Sequence, residues 1–123
     1  MPGVIVRGGA AVHPELVNFD RSGLTSGQAL NYGSINSEVI PYRCVAPGSI
    51  TAILIRAGVA PGSDVTVVIS KNGTPLLTRV LLGGQTKYEE TLDIGDFPFV
   101  SLDELSCRIV GTVQDISVQL KLM

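Results

Sequence analysis

Residues Asp64-Val65-Thr66-Val67-Val68-Ile69-Ser70-Lys71-Asn72-Gly73-Thr74-Pro75-Leu76-Leu77-Thr78-Arg79-Val80-Leu81-Leu82 decide the fold class. Val65, Val67 and Ile69 alternate with Thr66, Val68 and Ser70, the period of two expected of a strand with one buried face. Asn72-Gly73 supplies a two-residue turn. Both central positions of a type I′ turn need positive φ, which asparagine and glycine tolerate. Thr74–Leu82 is then the return strand, with Pro75 at its start, where a missing N–H costs little. The stretch predicts an antiparallel hairpin.

Strand signals continue in both directions. Upstream, Glu38–Val45 reads as a short strand closed by Ala46-Pro47-Gly48. Ser49–Ala57 carries Ile50, Ile53, Leu54 and Ile55, dense enough for a strand buried on both faces. Ala60-Pro61-Gly62-Ser63 is a turn by its chemistry. Downstream, Gly83-Gly84 leads into Gln85–Leu92, an acidic loop Asp93–Asp96, Phe97–Leu102, and Leu105–Val110 with Leu105, Cys107 and Ile109 facing inward. Gly111 breaks the pattern. Ile116–Leu122 then alternates Ile116, Val118, Leu120 and Leu122 against Ser117, Gln119 and Lys121. Turns recur about every 8–12 positions, the spacing of an all-β sandwich, and no helix-period run lasts three turns. Composition agrees: 33 of 123 residues are β-branched, and 14 Gly and 7 Pro punctuate them. The expected fold is all-β, an antiparallel β-sandwich, jelly-roll-like.

Residues 1–37 differ from residues 38–123, the sandwich domain. Their apolar pieces, Val4-Ile5-Val6 and Leu16-Val17-Asn18-Phe19, are short and separated by Gly8-Gly9. A Ser/Thr/Gly-rich run, Ser22–Gly27, follows them. Such a segment builds no core alone. It reads as an extended N-terminal arm and loop region that takes its order from the main body or from a neighbouring chain.

The chain offers little to catalysis. His13 is the only histidine and precedes Pro14, so it reads as an exposed loop imidazole. No G-x-S-x-G, P-loop or C-x-x-C motif is present, so neither a catalytic residue nor a cofactor is expected. The cations Arg7, Arg21, Arg43, Arg56, Lys71, Arg79, Lys87, Arg108 and Lys121 stand singly, which argues against nucleic acid as a partner. No apolar run reaches membrane-spanning length, so no membrane partner is expected. Glu89, Glu90, Asp93, Asp96, Asp103 and Glu104 lie close in sequence and are the one candidate for a hard cation. A solvated loop flanking two strands is the better account, and no metal site is expected. Phe19, Tyr32, Tyr42, Tyr88, Phe97 and Phe99 are scattered, and without Trp they do not suggest a platform for sugars. Cys44 and Cys107 permit one bridge, though Cys107 alternates with Leu105 and Ile109 like a core residue. Met1–Val6 has no cationic start followed by a long apolar stretch, so no signal peptide is expected.

Pro47-Gly48-Ser49-Ile50-Thr51-Ala52, Val65–Ile69 leading into Lys71-Asn72-Gly73-Thr74, and Asp103–Ile109 before Gly111 resemble a small β-sandwich of tailed-bacteriophage virion proteins. Here Asp103-Glu104 stands where that pattern has Gly-Asp before the apolar residue. The resemblance implies a domain that binds other virion components or host surfaces, and it transfers no functional residue. The chain reads as a complete short gene product, which is most similar to a capsid cement or decoration protein. Such a protein is made in the host cytoplasm and sits on the virion capsid surface. Major capsid protein subunits are then the expected partners, with a homo-oligomer, dimer or trimer, on the shell. The arm's Val4, Ile5, Val6, Leu16 and Phe19 are the candidate partner contacts, adding a strand to an open sheet edge. A receptor-binding or tail-fibre tip module, and a Ca²⁺-dependent carbohydrate-binding domain, are the alternative readings.

Overall fold

The computed structural model describes residues 14–123. They form eleven strands and no helix: β1 Glu15–Ser26, β2 Asn31–Tyr32, β3 Ile35–Asn36, β4 Tyr42–Arg43, β5 Gly48–Val59, β6 Val65–Lys71, β7 Thr74–Leu81, β8 Lys87–Thr91, β9 Pro98–Phe99, β10 Glu104–Val110 and β11 Thr112–Leu122. All pairings are antiparallel. One sheet runs β1-β11-β5-β8, with β2 and β3 continuing beyond β1, and β9 beside the start of β5. The other runs β4-β10-β6-β7.

The pairing is nested. Leaving aside the two-residue strands β2, β3 and β9, β1 pairs with β11, β4 with β10, β5 with β8, and β6 with β7. One long hairpin has rolled on itself, which is the jelly roll expected from the sequence. Its closed tip is the Asn72-Gly73 turn, with φ of 53° and 82° as a type I′ turn requires.

Period-two patterning places the core. Val65, Val67 and Ile69 of β6 and Leu105, Cys107 and Ile109 of β10 face Ile53 and Ile55 of β5 and Ile116, Val118, Leu120 and Leu122 of β11. A bulge between Gln114 and Ile116 lets β11 keep this phase, with Asp115 at φ 53°. The Asp115 carboxylate accepts the Gly23 N–H at 2.6 Å, and a Cβ at Gly58 would lie 2.8 Å from the Asp115 Cβ, so this spot needs glycine.

Three boundaries differ from the sequence reading. Glu38–Val45 narrows to β4, because residues 37–40 turn: the Val39 and Ile40 N–H groups both donate to the Asn36 carbonyl. Phe97–Leu102 narrows to β9, since Val100–Asp103 closes a turn. In β5 the core face is buried, while Ala52 and Leu54 on the other face are only half-buried. Both-face burial fails there because no layer among the described residues covers the outside of that sheet.

The larger difference concerns residues 14–37. β1 is paired along its length with β11, and Val17, Phe19, Thr25 and Leu30 are buried. This segment takes its order from the main body and is part of the sandwich. The two cysteines are free. The Cys44 N–H bonds the Asp103 carbonyl, so Cys107 lies four residues, about 13 Å, further along β10, beyond bridging reach.

The sides are sealed by side chains. At the β7/β8 side Arg79 bonds Glu90 at 2.6 Å, Tyr88 donates to the same carboxylate, and the guanidinium lies over Phe97 at 5.7 Å. At the other side Phe19 packs tilted against Tyr32, Tyr32 packs edge-on against Tyr42, and the Tyr42 hydroxyl donates to Glu15.

Burial separates two of the residues named above as partner contacts. Phe19→Ala is expected to cost about 3–5 kcal/mol, because Phe19 is fully buried. Leu16→Ala is expected within about 0.5 kcal/mol of wild type. Urea unfolding of the two variants checks this, and equal costs would contradict the assigned burial.

Candidate docking surface

The chain begins β1 and ends β11 at the same end of the sandwich, since Glu15 pairs with Leu122. The Asn72-Gly73 turn, residues 44–47, 92–97 and 100–103 meet there too. Their hydrogen bonds tie them into one platform. Cys44 N–H donates to Asp103 O and Leu102 N–H to Cys44 O, each at 2.8 Å. Ile50 N–H reaches Phe97 O, and Gly95 N–H reaches the Ser49 hydroxyl.

Asp103 organises the centre. Its carboxylate accepts the Val100 N–H and the Asn72 amide, both at 2.8 Å, while Asn72 returns its own oxygen to the Glu104 N–H. Those bonds to the charged form, the Val100 N–H first, hold the Asp103 carboxyl below its ordinary value. Lys71 adds a bond from its ammonium to Pro98 O.

Leu102 is held at φ +74° by this network. The left-handed region costs an L-residue roughly 1–2 kcal/mol, and bulky side chains rarely adopt it. Leu102 is nonetheless 67% exposed, so core burial does not offset the cost. Val45, Ile94 and Val100 at the same end are 78%, 74% and 60% exposed. The opposite end also presents apolar side chains, Leu24, Val59, Leu82 and Val110. None of those is at positive φ. Strain that the surroundings over-determine, beneath an exposed apolar side chain, marks the Leu102 end as the built surface.

A second feature borders this platform. A depression of about 400 Å³ lies outside the β4-β10-β6-β7 sheet, between the 37–41 turn, β10, β6 and Gly73. The turn is fastened by Ser37, which is fully buried. Its N–H donates to Leu30 O, and its hydroxyl donates to Cys107 O and accepts Cys107 N–H.

The residues singled out in the sequence fall as follows. Val4, Ile5, Val6 and His13 lie outside the described residues. Leu16 is exposed beside the platform, and Phe19 is buried in the core. The acidic stretch does not converge: Glu89 bonds Lys87, Glu90 bonds Arg79, Glu104 bonds Arg43, and Asp103 serves the turn. Among the described residues no three His, Cys, Asp or Glu side chains are grouped to hold a metal ion. Burial pushes the Cys44 thiol up to about 11 and the Cys107 thiol up as well, so both are protonated at neutral pH and poor nucleophiles. Sequence reasoning missed Leu102, because nothing in a Val-Ser-Leu-Asp stretch signals a left-handed leucine. The available hint was Asp103 itself, a residue that hydrogen-bonds nearby backbone in turns.

A depressed carboxyl contributes stability that is present above its unfolded value and lost as pH falls through its folded value. The melting temperature of the wild type should therefore exceed that of Asp103→Asn at pH 7. The gap should narrow once pH drops below the ordinary aspartate value of about 3.9. Thermal melts from pH 7 to pH 2.5 check this; a gap independent of pH would mean that the charge of Asp103 does not hold the turn. No protein-family model matches this chain, and no curated protein matches it.

Proposed function

We propose that this jelly roll is a structural virion protein, a capsid cement or decoration protein that binds at coat-subunit contacts and stabilises the shell. The observation that supports the reading is the hydrogen-bonded apolar end, with Leu102 held outward at positive φ beside Asp103. The sequence resemblance to virion β-sandwiches supplies the partner class. Nothing about the reading requires chemistry from the chain. It requires a surface that keeps its shape before contact, so that little ordering cost is left at binding.

Covering a fully exposed Val, Leu or Ile side chain is worth about 1.5–3 kcal/mol. Association of two proteins costs about 4–15 kcal/mol in lost freedom. Four such side chains together therefore support attachment of modest strength, which repetition over a shell multiplies. A protein that binds only the assembled shell raises the cost of disassembly by mass action. A homo-oligomer on the shell surface fits this scheme, with major capsid protein subunits as partners.

Leu102→Gly separates folding from docking. Glycine relieves the left-handed strain but adds unfolded-state entropy of about 0.5–1 kcal/mol, so free-protein stability should change by no more than about 1 kcal/mol. Occupancy on shells assembled from the coat protein of the same genome should fall at least tenfold. Leu102→Asp should abolish it. Undiminished occupancy of both variants would overturn this reading, as would binding of the wild type to host cells and not to shells.

A further inference from the structure

The outer face of the β1-β11-β5-β8 sheet is bare among the described residues, and its charges are ordered. Strand register sets the outward side chains in rows. One row is Asp20, Ser117, Arg56 and Lys87, and the next is Asn18, Gln119, Leu54 and Glu89. Between them runs the inward row Phe19, Val118, Ile55 and Tyr88, a midline for the face. A second depression of about 400 Å³ opens over this midline, lined by the outward residues that β1, β11 and β5 contribute to the two rows.

The sign of charge reverses across the midline. On β11, acidic Asp115 and basic Lys121 stand three residues to either side of Val118. Asp115 belongs to this face, since its Oδ2 lies beside outward-facing Gly58 while its Oδ1 accepts the Gly23 N–H. On β8 the order is opposite: Lys87 is on the Asp115 side and Glu89 on the Lys121 side. Asp115, Lys121, Asp20 and Arg56 have no ion-pair partner among the described residues. The Lys87–Glu89 contact, 3.5 Å and exposed, is a weak one.

Charge ordered in this way is complementary to itself. We propose that two copies of this chain stack through this face about a twofold axis that runs across the strands along the midline. Such an axis turns the face over and exchanges its two sides, so every contact occurs twice. Lys121 then faces Asp115 of the second copy, Lys87 faces Glu89, and Ser117 faces Gln119. Asp20 meets Asn18 and Arg56 meets Leu54, so no two like charges are opposed. Stacked sheets lie about 10 Å apart, a gap that lysine and arginine side chains span. The facing depressions give room to Arg56 and Gln119. A twofold axis along β11 would instead set Lys121 against its own copy, which is repulsive. The Leu102 ends stay uncovered at opposite poles of the pair, so this contact goes beyond the docking reading and does not depend on it.

Sedimentation equilibrium of the full chain tests the proposal. A monomer–dimer equilibrium is expected, weakened by added salt. Lys121→Glu turns two attractions into two repulsions and should weaken dimerisation roughly tenfold or more, with Lys121→Gln intermediate. Leu102→Asp should leave it unchanged. Cross-linking reads the axis: Ser117→Cys mixed with Gln119→Cys should join through a short bismaleimide faster than either variant alone. Cys44 and Cys107 are buried and do not compete. A chain that stays monomeric at millimolar concentration, a dimer indifferent to Lys121→Glu, or Ser117→Cys chains that join fastest to themselves would overturn the inference. A dimer lost in Leu102→Asp and kept in Lys121→Glu would also overturn it, by moving self-association to the platform.

Discussion

Strand β11 lies hydrogen-bonded between β1 and β5, and the molecule is built outward from that placement. Ile116, Val118, Leu120 and Leu122 all face the core, so a slip of one residue against either neighbour would turn all four to solvent. The register is therefore fixed twice over. Bulges at Gln114/Ile116 and Lys121/Leu122 absorb the mismatch between three long strands without surrendering that phase. Pairing the last strand with the first brings together residues from opposite ends of the described chain. The nested order of the remaining pairs follows from that closure. Contacts so distant in sequence make loop closure the slow part of folding.

A rolled hairpin has two sides and two ends, and the chain treats them differently. The sides are closed by Arg79, Glu90, Tyr88 and Phe97 at one gap, and by Phe19, Tyr32 and Tyr42 at the other. The edge strands β3, β4 and β9 are two residues long and β8 is five, while β7, eight residues long, carries Pro75 as its second residue opposite a bulge. Short, interrupted edges discourage strand addition by another chain. On the proposed reading the loop-built end serves recognition, a role that loops on a folded scaffold commonly take.

Much of the fold was readable because it rests on local rules. Alternation in β6, β10 and β11 and the Asn72-Gly73 turn each follow from period two and from φ tolerance. β1 was harder. Its core residues Val17, Phe19 and Thr25 are spaced widely, with a bulge's register shift opposite and Gly23 between them. The segment has no dense apolar signal of its own and becomes a strand only because β11 supplies a partner. The short strand β4 was overextended for the converse reason: Glu38–Val45 looks strand-like locally, yet the buried Ser37 hydroxyl takes the β10 backbone positions where that strand would have paired. The docking surface was the least visible part. Its residues come from loops far apart in sequence, and the conformation that marks it runs against the preference of leucine.

That last conflict carries the functional weight. Asn72 and Asp115, the other two non-glycine residues at positive φ among the described residues, are of the types that tolerate it, and each closes a turn or bulge the fold needs. Leu102 shares the backbone conformation without the tolerance. A glycine would serve the turn between β9 and β10 with less strain, and an asparagine nearly so. The side chain adds nothing to the core and is exposed to water with Val100 and Val45. Asp103, Asn72 and the Cys44 backbone nevertheless converge to hold it there, with a carboxyl whose own titration favours the bonded state. Within the chain the leucine is a net cost. On the proposed reading a contact outside the chain restores the balance, and that is why the reading rests on that end and not on the flat faces of its sheets.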